Sequence, residues 1–193
     1  MASLQDLFVS KVRVKLLKIF LTNPQEIFYV RQLVRLSGEE INAVRRELQR
    51  MEERGMVAKE ERGNRLYYHF QRDYLFYSEL LRLVAKTTGL GQAMIRHRNK
   101  LGKIKYAFLS VKLVRKRPHK EDDVDLLVVG DIVMPQLAAL VSQFEAELKR
   151  EVNYSAMTKD EFDFRKKRQD PFILKVLSQS RLMLVGDEEE MID

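Results

Sequence analysis

The 193-residue chain contains no cysteine, which excludes a disulfide framework, a thiolate zinc site and a cysteine nucleophile. Histidine is nearly as scarce: His69, His97 and His119 lie too far apart in sequence to form a local metal-ligand motif. Nor is there an uninterrupted apolar run of the roughly 18–20 residues that a membrane span needs, because charged residues break every hydrophobic stretch. Residues 1–7 lack the basic, then apolar, then small-residue order of a secretory signal. Together these absences predict a soluble, cytoplasmic protein with no membrane partner. At 45% hydrophobic residues the chain can form real cores, so disorder is expected only in the acidic stretch 187–193.

What is present is an uneven charge. The net +7 divides into +4 over residues 1–70, +11 over 71–120 and −8 over 121–193. A basic middle between two segments of different character points to a polyanionic partner. The length suggests one large or two small domains.

Residues 4–20 carry apolar side chains at mostly helical spacing, ended by Asn23 and Pro24. Residues 30–36 make a second helix stopped by Ser37 and Gly38. A third, from about 39 to 54, has its buried stripe at Ile41, Val44, Leu48 and Met51, and Gly55 closes it in a left-handed conformation. Two strands follow, 57–61 and 65–70, around the hairpin signal Gly63-Asn64. This order of elements, and the text "FYVRQLVRLSGEEINAVRRELQRMEERGMVAKEERGNRLYYHF", resembles the winged helix-turn-helix domain of repressors of the arsenic-repressor type. The resemblance implies double-stranded DNA as partner, with the third helix in the major groove. Off its buried stripe that helix presents Asn42, Ala43, Arg45, Arg46, Gln49 and Arg50, of which Arg and Gln can read bases through paired hydrogen bonds. At the wing tip Arg62, Asn64 and Arg65 would meet phosphate or the minor groove. Against this stand Glu39 and Glu40, whose carboxylates in the first turn would repel a phosphate.

Residues 73–103 read as a helical connector. The stretch 73–87 is apolar at Leu75, Phe76, Leu80, Leu81, Leu83 and Val84. Relatives of the resembled family use such a helix to dimerise, which implies a homodimer on two half-sites; packing of the stripe against the first helix of the same chain is the alternative. Gly89 and Gly91 mark a hinge, and a basic helix with Arg96, His97, Arg98 and Lys100 follows.

From residue 104 the pattern becomes strand, strand, helix, strand and short helix, with Thr158 and Glu161 placed as a capping box. Here "AFLSVKLVRKRPHKEDDVDLLVVGD" resembles the core of minimal nucleotidyltransferases of the DNA polymerase beta superfamily. The family pattern is Gly-Ser at one strand end and Asp-x-Asp at the start of the next. Asp123 and Asp125 fall on one side of a strand, as two carboxylates sharing a divalent metal require. Ser110 is kept, but Leu109 stands where the glycine belongs and Asn153 where a third acid is expected, with Glu151 two residues earlier as a substitute. A Cβ at 109 obstructs close approach of a triphosphate, and an amide is a poorer Mg²⁺ ligand than a carboxylate. Ser110, Asp123, Asp125 and Asn153 are therefore read as vestigial catalytic candidates, with Asp123 and Asp125 as the metal pair. The alternative is an acidic turn held by ion pairs to the basic loop 112–120.

The expected fold is α+β: a winged helix-turn-helix domain over 1–72, the connector 73–103 and a nucleotidyltransferase-like domain with a small mixed sheet over 104–186. The expected function is DNA-binding transcription regulation, with a pseudoenzyme domain that dimerises or senses a nucleotide ligand. No cofactor is required by that reading, and Mg²⁺ enters only if the acidic pair is functional. The rivals are an active Mg²⁺-dependent nucleotidyltransferase modifying a protein or RNA, and a general nucleic-acid binder using Arg96, Arg98, Lys112, Arg115 and Arg117.

Overall fold

A computed structural model describes residues 3–118, 120 and 122–193. Contacts divide the chain into two units, Met1–Thr87 and Thr88–Asp193. The division falls inside the expected connector, whose two helices belong to different units. Among the described residues there are ten α-helices and two small sheets, an α+β chain.

In the first unit the helix expected over 4–20 is broken. A 3-10 turn at Leu4–Asp6 is followed by α1 at Lys11–Thr22. Ser10 ends the interruption, because its hydroxyl accepts from the backbone N–H of Arg13 at 3.2 Å and caps α1. Leu7 and Val9, in the break, are exposed. β1 (Phe28–Tyr29) leads into α2 (Val30–Ser37), which stops at Gly38 with φ of 64°. α3 (Ile41–Glu53) is followed by Gly55 at φ 70°. β2 (Val57–Arg62) and β3 (Arg65–Phe70) pair antiparallel with Arg62 opposite Arg65, so Gly63-Asn64 is a two-residue turn. The sheet order is β1-β3-β2.

α4 (Tyr77–Thr87) buries Tyr77, Leu80, Leu81 and Val84, packing on α1 and on the 3-10 turn. The stripe expected to serve a dimer is thus covered by its own chain. Leu75 and Phe76, counted in the same stripe, precede the helix and stay exposed. The core is tied together by rings: Phe20 meets Phe28 at 5.7 Å and Phe70 at 6.3 Å, and Phe70 meets Tyr77 at 5.9 Å between centroids. These contacts join α1, β1, the central strand β3 and α4 through one aromatic cluster.

The second unit begins with α5 (Gly89–His97), which starts at the glycine expected to be a hinge. β4 (Gly102–Ser110), α6 (Val111–Val114), β5 (Leu126–Ile132), α7 (Met134–Leu148), β6 (Tyr154–Met157), α8 (Lys159–Lys167), α9 (Pro171–Ser178), β7 (Arg181–Val185) and α10 (Glu188–Ile192) complete it. The mixed sheet has the order β6-β5-β4-β7, with β5 and β6 parallel across the α7 connection and the other pairs antiparallel. Strand alternation feeds two cores. Ala107, Leu109, Leu126 and Val128 face Leu90 and Met94 of α5 and Leu137 and Val141 of α7. Tyr106, Phe108, Leu127 and Val129 face Phe162 of α8, Ile173 and Val176 of α9, and Met191 of α10.

The tail expected to be disordered over 187–193 is therefore α10. The Asp187 carboxylate accepts from the Glu190 N–H at 3.0 Å, and the acidic run occupies the first turn, where the helix dipole favours negative charge. Met191, fully buried, anchors it.

The β4–β5 pair is bulged between Ile104 and Tyr106, and Gly130, at φ 146°, lies opposite Ile104. A Cβ at Gly130 would come within 2.1 Å of the Lys103 carbonyl oxygen, so backbone would have to move. Gly130→Ala is expected to destabilise the chain by about 3 kcal/mol or more, the upper range for overpacking. Gly63→Ala meets open space and carries only the cost of its φ of 58°. Urea denaturation of the two variants checks the order.

Candidate functional site

α3 carries the expected reading residues outward. Asn42, Arg45, Arg46, Gln49 and Arg50 are exposed, and Val44, Leu48 and Met51 are buried beneath them. Ala43 is half-buried. Gln49 is engaged through its amide, which donates to Glu53 at 3.1 Å. The acids of the same region are occupied within the unit. Lys15 lies 2.6 Å from the Glu39 carboxylate and holds it below the usual carboxylate range. Glu40 caps α3, accepting from the N–H groups of Asn42 and Ala43 at 2.8 and 3.0 Å, and these bonds lower its pKa. Glu47, buried on the inner side, accepts from Ser10 at 2.9 Å and from Arg13 at 2.5 Å. The repulsion expected from Glu39 and Glu40 is thus offset by a lysine and by helix N–H groups. Lys15 reaches Glu39, and Arg13 and Ser10 reach Glu47, from α1 and its cap, so no spacing within α3 could reveal those pairings.

At the hairpin Arg62, Asn64 and Arg65 are all exposed. Arg62 is paired with Glu60 at 2.8 Å. Arg65 lies over the ring of Tyr29, 5.2 Å from its centroid.

In the second unit the four vestigial candidates do come together, in an arrangement that differs from a metal site. Ser110 is buried and caps α6, its hydroxyl accepting from the Leu113 N–H at 3.1 Å and donating to Asp125 Oδ1 at 3.3 Å. Asp125 has no exposed surface. Its Oδ2 accepts from the Arg150 guanidinium at 2.9 Å and from the Asn153 backbone N–H at 3.3 Å. The same guanidinium donates to the Arg117 carbonyl at 3.0 Å, so Arg150 joins strand, basic loop and the end of α7. Asp123, 6% exposed, accepts from the Lys112 ammonium at 2.7 Å and from the Lys120 N–H at 3.0 Å. Those two donors hold its carboxyl below the usual range. Asp122 is paired with Lys175.

Each member of the Asp-x-Asp pair therefore has its own cation. Leu109 is buried in the core, and Asn153 approaches Asp125 through its backbone. Glu151 is exposed and, among the described residues, no group of three or more acids or histidines is arranged to hold a metal ion. The donor set does not fit a two-metal centre. The ion-pair alternative, with Lys112 of the basic loop, is the arrangement found. Arg150 is the residue sequence reasoning missed: it reaches Asp125 only because β5 and β6 are neighbours and α7 returns between them. His119 lies outside the described residues. An open cleft of about 520 Å³ borders the site, lined by Asp122, Asp123, Val124, Val152, Asn153, Tyr154, Ser155 and Phe172.

No family model, curated protein or solved structure matches this chain.

Two outcomes follow from the pairing. Arg150→Met leaves Asp125 buried without its cation and is expected to cost about 3–5 kcal/mol in urea denaturation, and millimolar Mg²⁺ or Mn²⁺ should leave the wild-type midpoint where it is. For Asp123, a depressed folded-state pKa contributes stability above the ordinary carboxylate value of about 3.9, and that contribution disappears as pH falls through the depressed value. The stability gap between wild type and Asp123→Asn should accordingly close on acidification, as read by denaturation midpoints across that window.

Proposed function

We propose that the chain is a DNA-binding transcription regulator in which the first unit, read as a winged helix-turn-helix, binds duplex DNA through α3 and the β2–β3 turn. The observation that carries this reading is the outward face of α3, where Arg45, Arg46, Gln49 and Arg50 are exposed, while Glu39 pairs with Lys15, Glu40 caps the helix and the buried Glu47 is held by Ser10 and Arg13 with Arg50 3.9 Å away. A helix of that composition, set before an exposed basic hairpin, offers donors to base edges and to phosphate.

The second unit, read as a nucleotidyltransferase-like domain, serves regulation in this proposal. Lys112 and Arg150 occupy the charge that divalent ions would otherwise neutralise at Asp123 and Asp125, which supports a pseudoenzyme. The adjoining cleft, with Tyr154 and Phe172 in its lining, offers stacking surface to a nucleotide-like ligand. Two copies on two half-sites would associate through a surface other than the α4 stripe, which is buried within the chain. The regulator of this proposal is cytoplasmic, and no described helix is long and apolar enough to cross a membrane.

The test is a mobility-shift titration with fragments surrounding the protein's own gene against random duplex. One fragment should bind at least about a thousandfold tighter than random sequence. Arg45→Ala and Arg46→Ala should each lower specific affinity by about 1–3 kcal/mol, and Arg65→Ala should weaken all duplexes alike. Equal affinity for every duplex sinks the regulator reading.

A further inference from the structure

The three-stranded sheet of the first unit has a second face. Phe28, Val57, Tyr68 and Phe70 point into the core. Their sequence neighbours alternate to the other side, where the register sets Tyr29 opposite Tyr67, Tyr67 opposite Glu60 and Arg62 opposite Arg65. On this face the two tyrosine rings meet edge to face, 5.9 Å apart at 68°. Arg65 lies over the Tyr29 ring at 5.2 Å and Arg62 over the Tyr67 ring at 5.8 Å. Arg35, from α2, donates to the Tyr29 hydroxyl at 3.1 Å. Three guanidinium groups and two half-buried rings thus alternate along one strip, with Glu60 as the carboxylate among them.

Two large rings on the solvent side of a sheet add little to the core. Arg65 is laid over Tyr29 by weak cation–π attraction and can swing to another anion at small cost, uncovering that ring face. Arg62, over Tyr67, is also held by two hydrogen bonds to Glu60 and exchanges that exposed carboxylate for a phosphate. The strip therefore offers two things at once: flat π surfaces for planar groups, and guanidinium forks for phosphate. A duplex keeps its base faces stacked inside and has none to give the tyrosines. An acidic peptide supplies carboxylates without planar partners. An unpaired nucleic-acid strand supplies bases and regularly spaced phosphates together, and stacking on aromatic platforms in a basic groove is how such strands are held without sequence preference.

The geometry points to a single-strand binding surface built from Tyr29, Tyr67, Arg35, Arg62 and Arg65. It shares Arg62 and Arg65 with the duplex reading of the turn but does not depend on α3, and Tyr29, Tyr67 and Arg35, outside both α3 and the turn, set it apart.

The direct test uses the intact wild-type chain and an iodouracil-substituted oligothymidylate of about fifteen nucleotides, within the range of known site sizes. Ultraviolet crosslinking followed by peptide mapping should place the adduct on Tyr29 or Tyr67. In fluorescence anisotropy the pair Tyr29→Leu with Tyr67→Leu should weaken oligothymidylate binding by about tenfold or more, and Arg45→Ala with Arg46→Ala should change it by less than about twofold. Adducts confined to other residues, unchanged affinity in the leucine pair, equal loss in the α3 pair, or equal displacement by polyglutamate would each overturn the proposal. If the leucine pair fails to fold by circular dichroism, the wild-type crosslink decides alone. Absence of duplex binding by the wild-type chain, with oligothymidylate binding present, would reject the α3 reading and leave this one standing.

Discussion

A carboxylate without access to water must be given a positive partner or must surrender its charge. Asp125 is such a carboxylate, and the Arg150 guanidinium is its partner. The consequence runs through the second unit. Arg150 follows α7, so its reach to β5 fixes how the helix ends before β6 begins. The same guanidinium takes the Arg117 carbonyl and holds the basic loop against the strand. Lys112 then meets Asp123 from the other side of that loop. Each carboxylate of the Asp-x-Asp pair is thereby given a side-chain cation of its own.

The first unit solves the same problem at Glu47. This acid of α3 is turned inward and held by Arg13 of α1 and by its cap Ser10. Glu39 and Glu40 are absorbed by Lys15 and by the helix terminus itself. Glu52 pairs with Lys59 of β2, and on the outward side Arg45, Arg46 and Arg50 stand exposed beside Gln49 and Glu53. Anchoring α3 to α1 thus takes part of the local negative charge off its outer face.

Much of this was legible in the sequence wherever the cause is local. Gly38 and Gly55 end their helices in left-handed conformations, and Gly63-Asn64 closes a two-residue hairpin, because positive φ there is a short-range requirement. The alternation of Tyr106 to Leu109 and Leu126 to Val129 between two cores is equally local. Other features depend on distant partners. Ser10 breaks the first apolar run, and capping by it outweighs a periodicity that continues through Leu7 and Phe8. The acidic stretch after Gly186 has the composition of a solvated tail; Asp187 caps it locally, and burial of Met191 against a distant core holds it as a helix. The site was readable as a set of residues, Ser110, Asp123, Asp125 and Asn153. Its electrostatics were not, since Arg150 stands on the far side of a crossover.

The sheet order also bears on how the second unit is assembled. β4 takes β5 as a neighbour soon after it is made, but its other edge waits for β7, with Ala107 pairing to Val185 across most of the unit. Until that pairing forms, one of the most apolar strands of the chain has an unsatisfied backbone edge beside a half-built core. Non-local closure of this kind slows folding and lengthens exposure to aggregation. During synthesis that edge of β4 stays open until the residues of β7, about seventy positions later, have emerged.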